Sequence, residues 1–127
     1  MSLVMIPMRE EYVVWQPPLS HAVDLSAFND CEFYTVSKTA EELSIICPVD
    51  RLPANASGKI EQPWNGFRVA GQLDFSLVGI MAQISGILAE HKISLFAVST
   101  FDTDYILVKK DKFEAAKQAL ATKFEVV

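Results

Sequence analysis

The amino-acid sequence predicts an α+β fold made of two successive units, each with the element order β-α-β-β-α-β. Two observations lead to this prediction. Apolar residues recur at helical spacing between positions 77 and 91, and short alternating runs typical of strands flank them. In addition, two strand–turn–strand segments, residues 33–46 and 95–108, align without a gap at an offset of 62 residues (95 − 33). We therefore expect one arrangement of strands and helices to occur twice.

The first half of the chain reads as short strands separated by loops, because proline and glycine interrupt it repeatedly. Residues 19–29 hold at most a turn or two of helix, and residues 52–58 (LPANASG) form a loop. Both helices of the first unit are therefore predicted to be eroded, which means that they are shortened or replaced by a loop. The predicted strands of this half are residues 11–16, 32–37, 43–47 and 59–62, the last one ending before Pro63.

The second half contains a complete set of elements, beginning with a strand over residues 67–70 and an amphipathic helix. Ser76 is the expected N-cap of this helix, which places Gly79 in its first turn. Gly86 falls in the middle of the helix, and close packing on the sheet is the preferred explanation for it. The apolar face of the helix consists of Leu77, Ile80, Met81, Ile84, Ile87, Leu88 and His91.

A hairpin and a second helix complete this half. Strands over residues 93–101 and 105–109 flank a turn too short for anything but an antiparallel hairpin. Asp111 opens the next helix, with Glu114 as its capping-box partner, and residues 124–127 form a last strand. A unit with this element order is a ferredoxin-like sandwich, with helices on one face of an antiparallel sheet.

The repeat divides the chain into a degenerate N-terminal unit, residues 1–63, and a complete C-terminal unit, residues 64–127. Because the helices of the first unit are eroded, one face of its sheet is expected to be poorly covered. Burial of that face against the second unit, or against another chain, would remove the exposed apolar surface.

Composition and charge exclude several classes of protein. The 127 residues carry a formal net charge of −5 with no basic run, which argues against nucleic acid and anionic membrane as partners. The apolar start is short and is followed by Arg9 and Glu10, unlike a secretion signal, and no apolar run reaches the length of a membrane span. Two cysteines are too few for a disulfide framework, so we expect a cytoplasmic location.

No set of residues predicts catalysis. Asp102 and Asp104 flank a hairpin turn, where acidic side chains are usually solvated, and His21, Cys31 and Cys47 lack the spacing of a zinc site. The sequence shows no nucleophile–base set and no cofactor loop. We therefore predict a protein that is not an enzyme and uses no metal or cofactor.

The helix start and the strand after the helix resemble the ACT domain family. Its signature places Asp-x-Pro-Gly-x-Leu at the turn into the first helix and Gly-Ile-x-Ile after that helix. Here the corresponding runs are residues 76–81 (SLVGIM) and 92–95 (KISL), in which Gly79 matches the signature glycine. A closer resemblance is to the branch of tandem ACT proteins that includes bacterial proteins of unassigned role and the CASTOR arginine sensors. The segments that carry it are LDFS (73–76), GIMAQIS (79–85), STFDTDY (99–105) and TAEELSIIC (39–47).

This resemblance implies a ligand site. In the arginine sensors the ligand lies between ACT units, held by backbone at a helix start and by a Thr-Phe…Asp hairpin. The resemblance thus implies ligand contacts from Gly79, Ile80, Thr100, Phe101 and Asp104. Because those sensors contain more ACT units than this chain, it also implies that a homodimer completes the site.

Each implied contact has a chemical explanation and a structural one. The N–H groups of Gly79 and Ile80 suit a carboxylate, and Asp104 suits an ammonium or guanidinium group. Thr100 offers a hydroxyl, and Phe101 can cover an aliphatic stem. The structural explanations are different for each residue. The turn would require glycine at position 79, and Asp104 would bond to local backbone. Thr100 would be an ordinary strand residue, and Phe101 would pack in the core. For Asp74, a role in bracing the turn is preferred.

These inferences favour a non-catalytic sensor module that binds a small amino acid and passes on its presence through dimer geometry or a protein partner. The alternative hypothesis is a module that binds no ligand and pairs with other proteins through its sheet or helices. Binding of amino acids to the purified protein would distinguish these two hypotheses.

Overall fold

The structure is a computed structural model, and it describes residues 3–70 and 79–127. The described residues divide into two compact units, Arg9–Trp64 and Asn65–Val127, the second of which also includes the N-terminal segment up to Met8. The division expected from the sequence placed residues 3–8 with the N-terminal unit. The described strands are β1 (Val4–Pro7), β2 (Tyr12–Gln16), β3 (Thr35–Lys38), β4 (Leu43–Pro48), β5 (Lys59–Ala70), β6 (Phe96–Ser99), β7 (Asp104–Lys109) and β8 (Glu125–Val126). The helices are α1 (Ile80–Glu90) and α2 (Phe113–Leu120), which together with the strands give an α+β, ferredoxin-like fold.

In the unit of residues 9–64, the strands follow the order β3-β4-β2-β5, and every neighbouring pair is antiparallel. Single 3₁₀ turns, Leu25–Phe28 and Val49–Arg51, occupy the two positions where helices would otherwise lie. Asp24 caps the first of these turns by accepting hydrogen bonds from the backbone N–H and the hydroxyl of Ser26. The expectation of little helix in this half is therefore confirmed.

Irregular segments, rather than helices, cover one sheet face of this unit. Phe28, from the first 3₁₀ turn, packs with Trp15 and Ile45 of the sheet, and Val23, Leu52 and Ala56 from the loops pack around them. The expectation of a poorly covered face was therefore wrong for this face, because loops carry enough apolar side chains to replace a helix.

In the other unit, β1 lies between β5 and β8, and β7 and then β6 follow on the far side of β5. β1 is antiparallel to β5 and parallel to β8. The core of this unit lies between this sheet and the two helices, where Met5, Phe67, Ile84, Leu88 and Leu120 are all fully buried. The predicted apolar face of α1 is confirmed for Ile84 and Leu88, which are buried, and for Ile80, Met81 and Ile87, which pack against the core. His91 is exposed, and Leu77 lies outside the described residues.

β5 is longer than the sequence predicts. The two expected strands, residues 59–62 and 67–70, are one continuous strand that runs through Pro63 and Gly66. Pro63 is tolerated because the pairing of β2 with β5 shifts by one residue between Tyr12 and Val14, which is a bulge. A proline at a bulge removes no regular ladder hydrogen bond.

Both helices begin later than expected. α1 begins at Ile80, and Gly79 is its N-terminal cap residue rather than part of its first turn. Ser76, the expected cap, and Asp74 lie outside the described residues. α2 begins at Phe113 after a 3₁₀ turn, Lys110–Lys112, and neither of these two elements has a side-chain cap, so the predicted capping box at Asp111 was wrong.

Gly86 does not pack against the sheet, which corrects the explanation preferred from the sequence. It is exposed, and a Cβ built on it would meet no atom of residues 3–70 and 79–127 within 4 Å. The buried side of α1 is carried instead by Ile84 and Leu88, which project from a different face of the helix.

The two hairpins share one backbone design. β3 and β4 pair Lys38 with Leu43, and β6 and β7 pair Ser99 with Asp104, so four residues separate the strands in each hairpin. Equivalent residues are therefore 61 apart (99 − 38), whereas the sequence alignment gave 62. The sequence alignment used an offset of 62 because valine and serine residues match there. In the structure, the length of the turn determines which residues pair, and this gives an offset of 61.

Candidate functional site

The candidate site begins with the turn between β6 and β7. The backbone N–H of Thr100 donates to the carbonyl of Thr103 at 2.8 Å, and the hydroxyl of Thr100 donates to the same carbonyl at 3.1 Å. The hydroxyl also accepts from the N–H of Thr103 at 3.4 Å. Thr100 therefore closes the turn with its own side chain, as serine and threonine often do.

The residue at the matching position of the other hairpin does the same. Thr39 donates its N–H to the carbonyl of Glu42 at 2.8 Å, and its hydroxyl accepts from the N–H groups of Glu41 and Glu42 at 3.1 and 3.0 Å. The presence of threonine at position 100 is thus explained by its role in closing the turn. Its hydroxyl is engaged in the turn.

Ser99 and Asp104 are opposite each other in the last pair of the β6–β7 ladder. The hydroxyl of Ser99 donates to Oδ1 of Asp104 at 2.6 Å, a length typical of a hydrogen bond to a carboxylate. Within the described part of the chain, the Asp104 side chain has this one hydrogen bond and no ion pair. Its negative charge is thus available to a cation.

Thr103 fastens this turn to β5. Its hydroxyl donates to the carbonyl of Val69, which is fully buried one residue before the end of β5. The hairpin that carries Asp104 is therefore attached to the strand that leads, through residues 71–78, to the start of α1.

Phe101 lies at the tip of the turn and is 81% exposed. Ala40 occupies the matching position in the other hairpin, since the two are 61 residues apart. The turn therefore needs no aromatic residue at this place. Phe101 therefore presents a large exposed apolar surface at the tip of the hairpin.

The start of α1 is an open helix N-terminus among the described residues. Gly79 has φ of +83°, a left-handed conformation that residues with a Cβ rarely adopt. No acidic residue lies in the first turn, and no side chain of the cap residue accepts its N–H groups. The first N–H groups of a helix have no partners within the helix and favour an anion.

The structure places three of the expected contact residues, Thr100, Phe101 and Asp104, in one turn of the β6–β7 hairpin. Gly79 and Ile80 lie at a separate element of the same unit, the start of α1. Sequence reasoning missed Ser99 and Thr103. Their partners across the strands become visible only once the register is known, although their position in the STFDTDY run was a usable signal.

Other kinds of site find no support in the described residues. No three His, Cys, Asp or Glu side chains there come together in a way that would hold a metal ion. No helix in residues 3–70 and 79–127 is both long and apolar enough to cross a membrane. The two cysteines are free thiols, and burial raises the pKa of Cys47 to about 12, which makes it a poor nucleophile.

Comparison with known proteins gives concordant results. A family model described as ACT domain matches residues 59–122. The mouse protein named cytosolic arginine sensor for mTORC1 subunit 1 is 36% identical over 96 residues, which cover 75% of this chain and 28% of the mouse protein. The chain thus spans less than a third of the length of this relative.

Two solved structures are similar to more than nine-tenths of the chain. A protein from Agrobacterium tumefaciens has a TM-score of 0.87 and 26% identity, covering 100% of this chain and 93% of its own. The regulatory subunit of aspartate kinase from Thermus thermophilus has a TM-score of 0.65 over 91% of this chain and 94% of its own, and at 8% identity it shows the fold alone. ACT domains are typically regulatory modules that bind amino acids, and they are not catalytic. With the family model matching residues 59–122, this chain belongs to the ACT domain family.

Proposed function

We propose that this protein is a non-catalytic regulatory module that binds a free amino acid between the start of α1 and the β6–β7 hairpin. The observation that carries the proposal is the carboxylate of Asp104. It is half-buried, has no ion pair among the described residues, and lies in the same unit as an open helix N-terminus. An amino acid carries the two complementary charges.

The start of α1 would take the carboxylate of the ligand. Gly79 allows close approach because it has no side chain and no atom of the described residues lies within 4 Å of the place its Cβ would occupy. The N–H groups at Ile80 and beyond would donate to the ligand oxygens, and the helix dipole adds to the attraction.

The hairpin would take the remainder of the ligand. Asp104 would pair with the ammonium group, or with a guanidinium group if the ligand is arginine. Phe101 would cover the aliphatic part of the ligand with the apolar surface that it exposes at the tip of the turn. Thr100 would contribute mainly by holding the turn, since its hydroxyl is already bonded to Thr103.

The proposal includes a tandem arrangement of two ACT-like units and a homodimer that acts in the cytoplasm. The shared hairpin design, with equivalent residues 61 apart, supports the tandem arrangement. Relatives named as cytosolic sensors support the location. A ligand that binds one arrangement of the units better than another would shift the population towards it, and a protein partner would respond to that shift.

The test is a thermal-shift screen of the purified protein against the twenty amino acids, with arginine first because the relatives are named arginine sensors. A ligand present at 100 times its dissociation constant adds about 2.7 kcal/mol, or several degrees of melting temperature. Hits would then be measured by titration calorimetry with the wild type, Asp104→Ala and Asp102→Ala. Asp102 is the matched control, because it is an exposed aspartate of the same turn.

We expect one or a few amino acids to raise the melting temperature, with binding lost in Asp104→Ala and kept in Asp102→Ala. Absence of any shift in a well-folded wild type would overturn the proposal. Equal binding by both variants would place the ligand elsewhere.

The second candidate is an interaction module without a ligand. It is favoured by the exposed surface of Phe101 and by Phe96, which is 37% exposed on β6. A flat amino-acid screen, together with concentration-dependent association that Phe101→Ala weakens, would support this candidate.

A further inference from the structure

We propose that Ser99 is a positioning residue for ligand binding, which acts by fixing the carboxylate of Asp104. This inference rests on the proposed function, since it concerns the same site. It arises from a comparison of the two hairpins, which share one backbone and differ in a few polar side chains.

The β3–β4 hairpin shows what the backbone alone requires. It has the same four-residue turn, and it is closed by Thr39 in the way that Thr100 closes the other. At the positions of Ser99 and Asp104 it has Lys38 and Leu43, and Leu43 is 2% exposed. A serine–aspartate pair is therefore no requirement of this hairpin.

The Ser99–Asp104 contact has features that suit positioning. The two residues are opposite each other in the ladder, so the backbone fixes both Cα positions. The hydroxyl reaches one oxygen, Oδ1, at 2.6 Å and restrains the rotation of the carboxylate. The other oxygen, Oδ2, has no hydrogen bond among the described residues and remains for a cationic group.

A fixed carboxylate binds a cation more tightly than a mobile one, because less rotational freedom is lost on binding. Ser99 thus improves affinity without touching the ligand. A methyl group in place of the hydroxymethyl would leave Asp104 present and charged but free to rotate.

The first measurement compares Ser99→Ala, Ser99→Thr and Ser37→Ala with the wild type by calorimetric titration with arginine and with any other amino acid found in the screen. Threonine keeps the hydroxyl and is favoured in strands. Ser37 is the matched control, because it is an exposed serine near the end of the first strand of the other hairpin. Unfolding of each variant is measured in parallel.

We expect the dissociation constant to rise by up to about tenfold in Ser99→Ala, which corresponds to the free-energy cost of immobilising one side chain on binding. It should return towards the wild-type value in Ser99→Thr and stay unchanged in Ser37→Ala. Wild-type affinity in Ser99→Ala would overturn the inference while leaving the proposed function standing.

A second measurement does not depend on a ligand. The side-chain torsion of Asp104 is compared in crystals of the wild type and Ser99→Ala. If no amino acid binds the wild type, the proposed function fails, and this comparison still decides whether Ser99 fixes Asp104. An ordered, unmoved Asp104 in Ser99→Ala overturns the inference, and a rotated or disordered carboxylate supports it.

Discussion

The hydroxyl of Tyr12 donates a 2.8 Å hydrogen bond to the carboxylate of Glu32, in the unit of residues 9–64. The same carboxylate accepts from the backbone N–H groups of Arg9, at 3.0 and 3.1 Å, and of Glu10, at 3.3 Å. Burial raises the pKa of Glu32, but the hydrogen bonds from Arg9, Tyr12 and Glu10 outweigh it and hold the pKa below its usual range. The Glu32 side chain thus holds the backbone in place just before β2.

The first prediction concerns the pH dependence of stability. Because the pKa of Glu32 is lower in the folded state, its stabilisation is present above the unfolded value, near 4.5, and is lost as the pH falls through the folded value. Glu32→Gln should lower the free energy of unfolding by about 1–3 kcal/mol at pH 7 and by less at pH 3, which is below the unfolded pKa. Urea denaturation at both pH values tests this, with the exposed Glu41→Gln as control. An equal loss at both pH values would contradict it.

The second prediction is that Gly86→Ala stabilises the protein by about 1 kcal/mol. Glycine within a helix costs that much relative to alanine, and the added methyl group would meet no atom of the described part of the chain within 4 Å. Urea denaturation measures the change. A loss of stability would show that another surface packs against Gly86.

The third prediction is a change of opposite sign at the start of the same helix. The methyl group added by Gly79→Ala also meets no described residue within 4 Å, but φ of +83° is unfavourable for alanine, so stability should fall by about 1 kcal/mol. Gly86→Ala is the natural control, being the same substitution seven residues away. Amino-acid binding should weaken in Gly79→Ala and persist in Gly86→Ala, and the reverse result would remove the helix start from the proposed site.

The fourth prediction uses the equivalence of Thr39 and Thr100. Each hydroxyl bonds the backbone of its own turn, so Thr39→Ala and Thr100→Ala should each cost about 1 kcal/mol. Only Thr100→Ala should also weaken amino-acid binding. If Thr39→Ala weakened it equally, a general loss of stability would explain both effects.

The sequence predicts those elements whose signal is local. The β3–β4 and β6–β7 hairpins, the buried side of α1 and the weak helices of the first half all follow from spacing and from turn residues. β1 was missed because VMIP is short, shows no alternation and ends in proline, while its burial depends on strands far along the chain. The break expected at Pro63 was wrong because a bulge in the pairing with β2 accommodates the proline.

In the candidate site too, the local features could be predicted from the sequence and the contacts between strands could not. Glycine at the helix start and the residues of the hairpin turn could be picked out from the sequence, since both occur in a recognisable run. The Ser99–Asp104 and Thr103–Val69 contacts could not, because they depend on which residues face each other across strands. A shift of one residue in register would separate both pairs.

The position of β1 has a consequence for how the chain folds during synthesis. β1 pairs with β8 through Val4 and Glu125, 121 residues apart (125 − 4), while the unit of residues 9–64 lies between them in the sequence. The strands of that intervening unit are available as soon as residue 64 has emerged from the ribosome, but β1 must wait until β8 has emerged before its second edge is paired. Such non-local pairing slows folding and leaves an apolar strand edge unpaired in the nascent chain. Among the described strands, β1 therefore depends on a partner that is synthesised far later than itself.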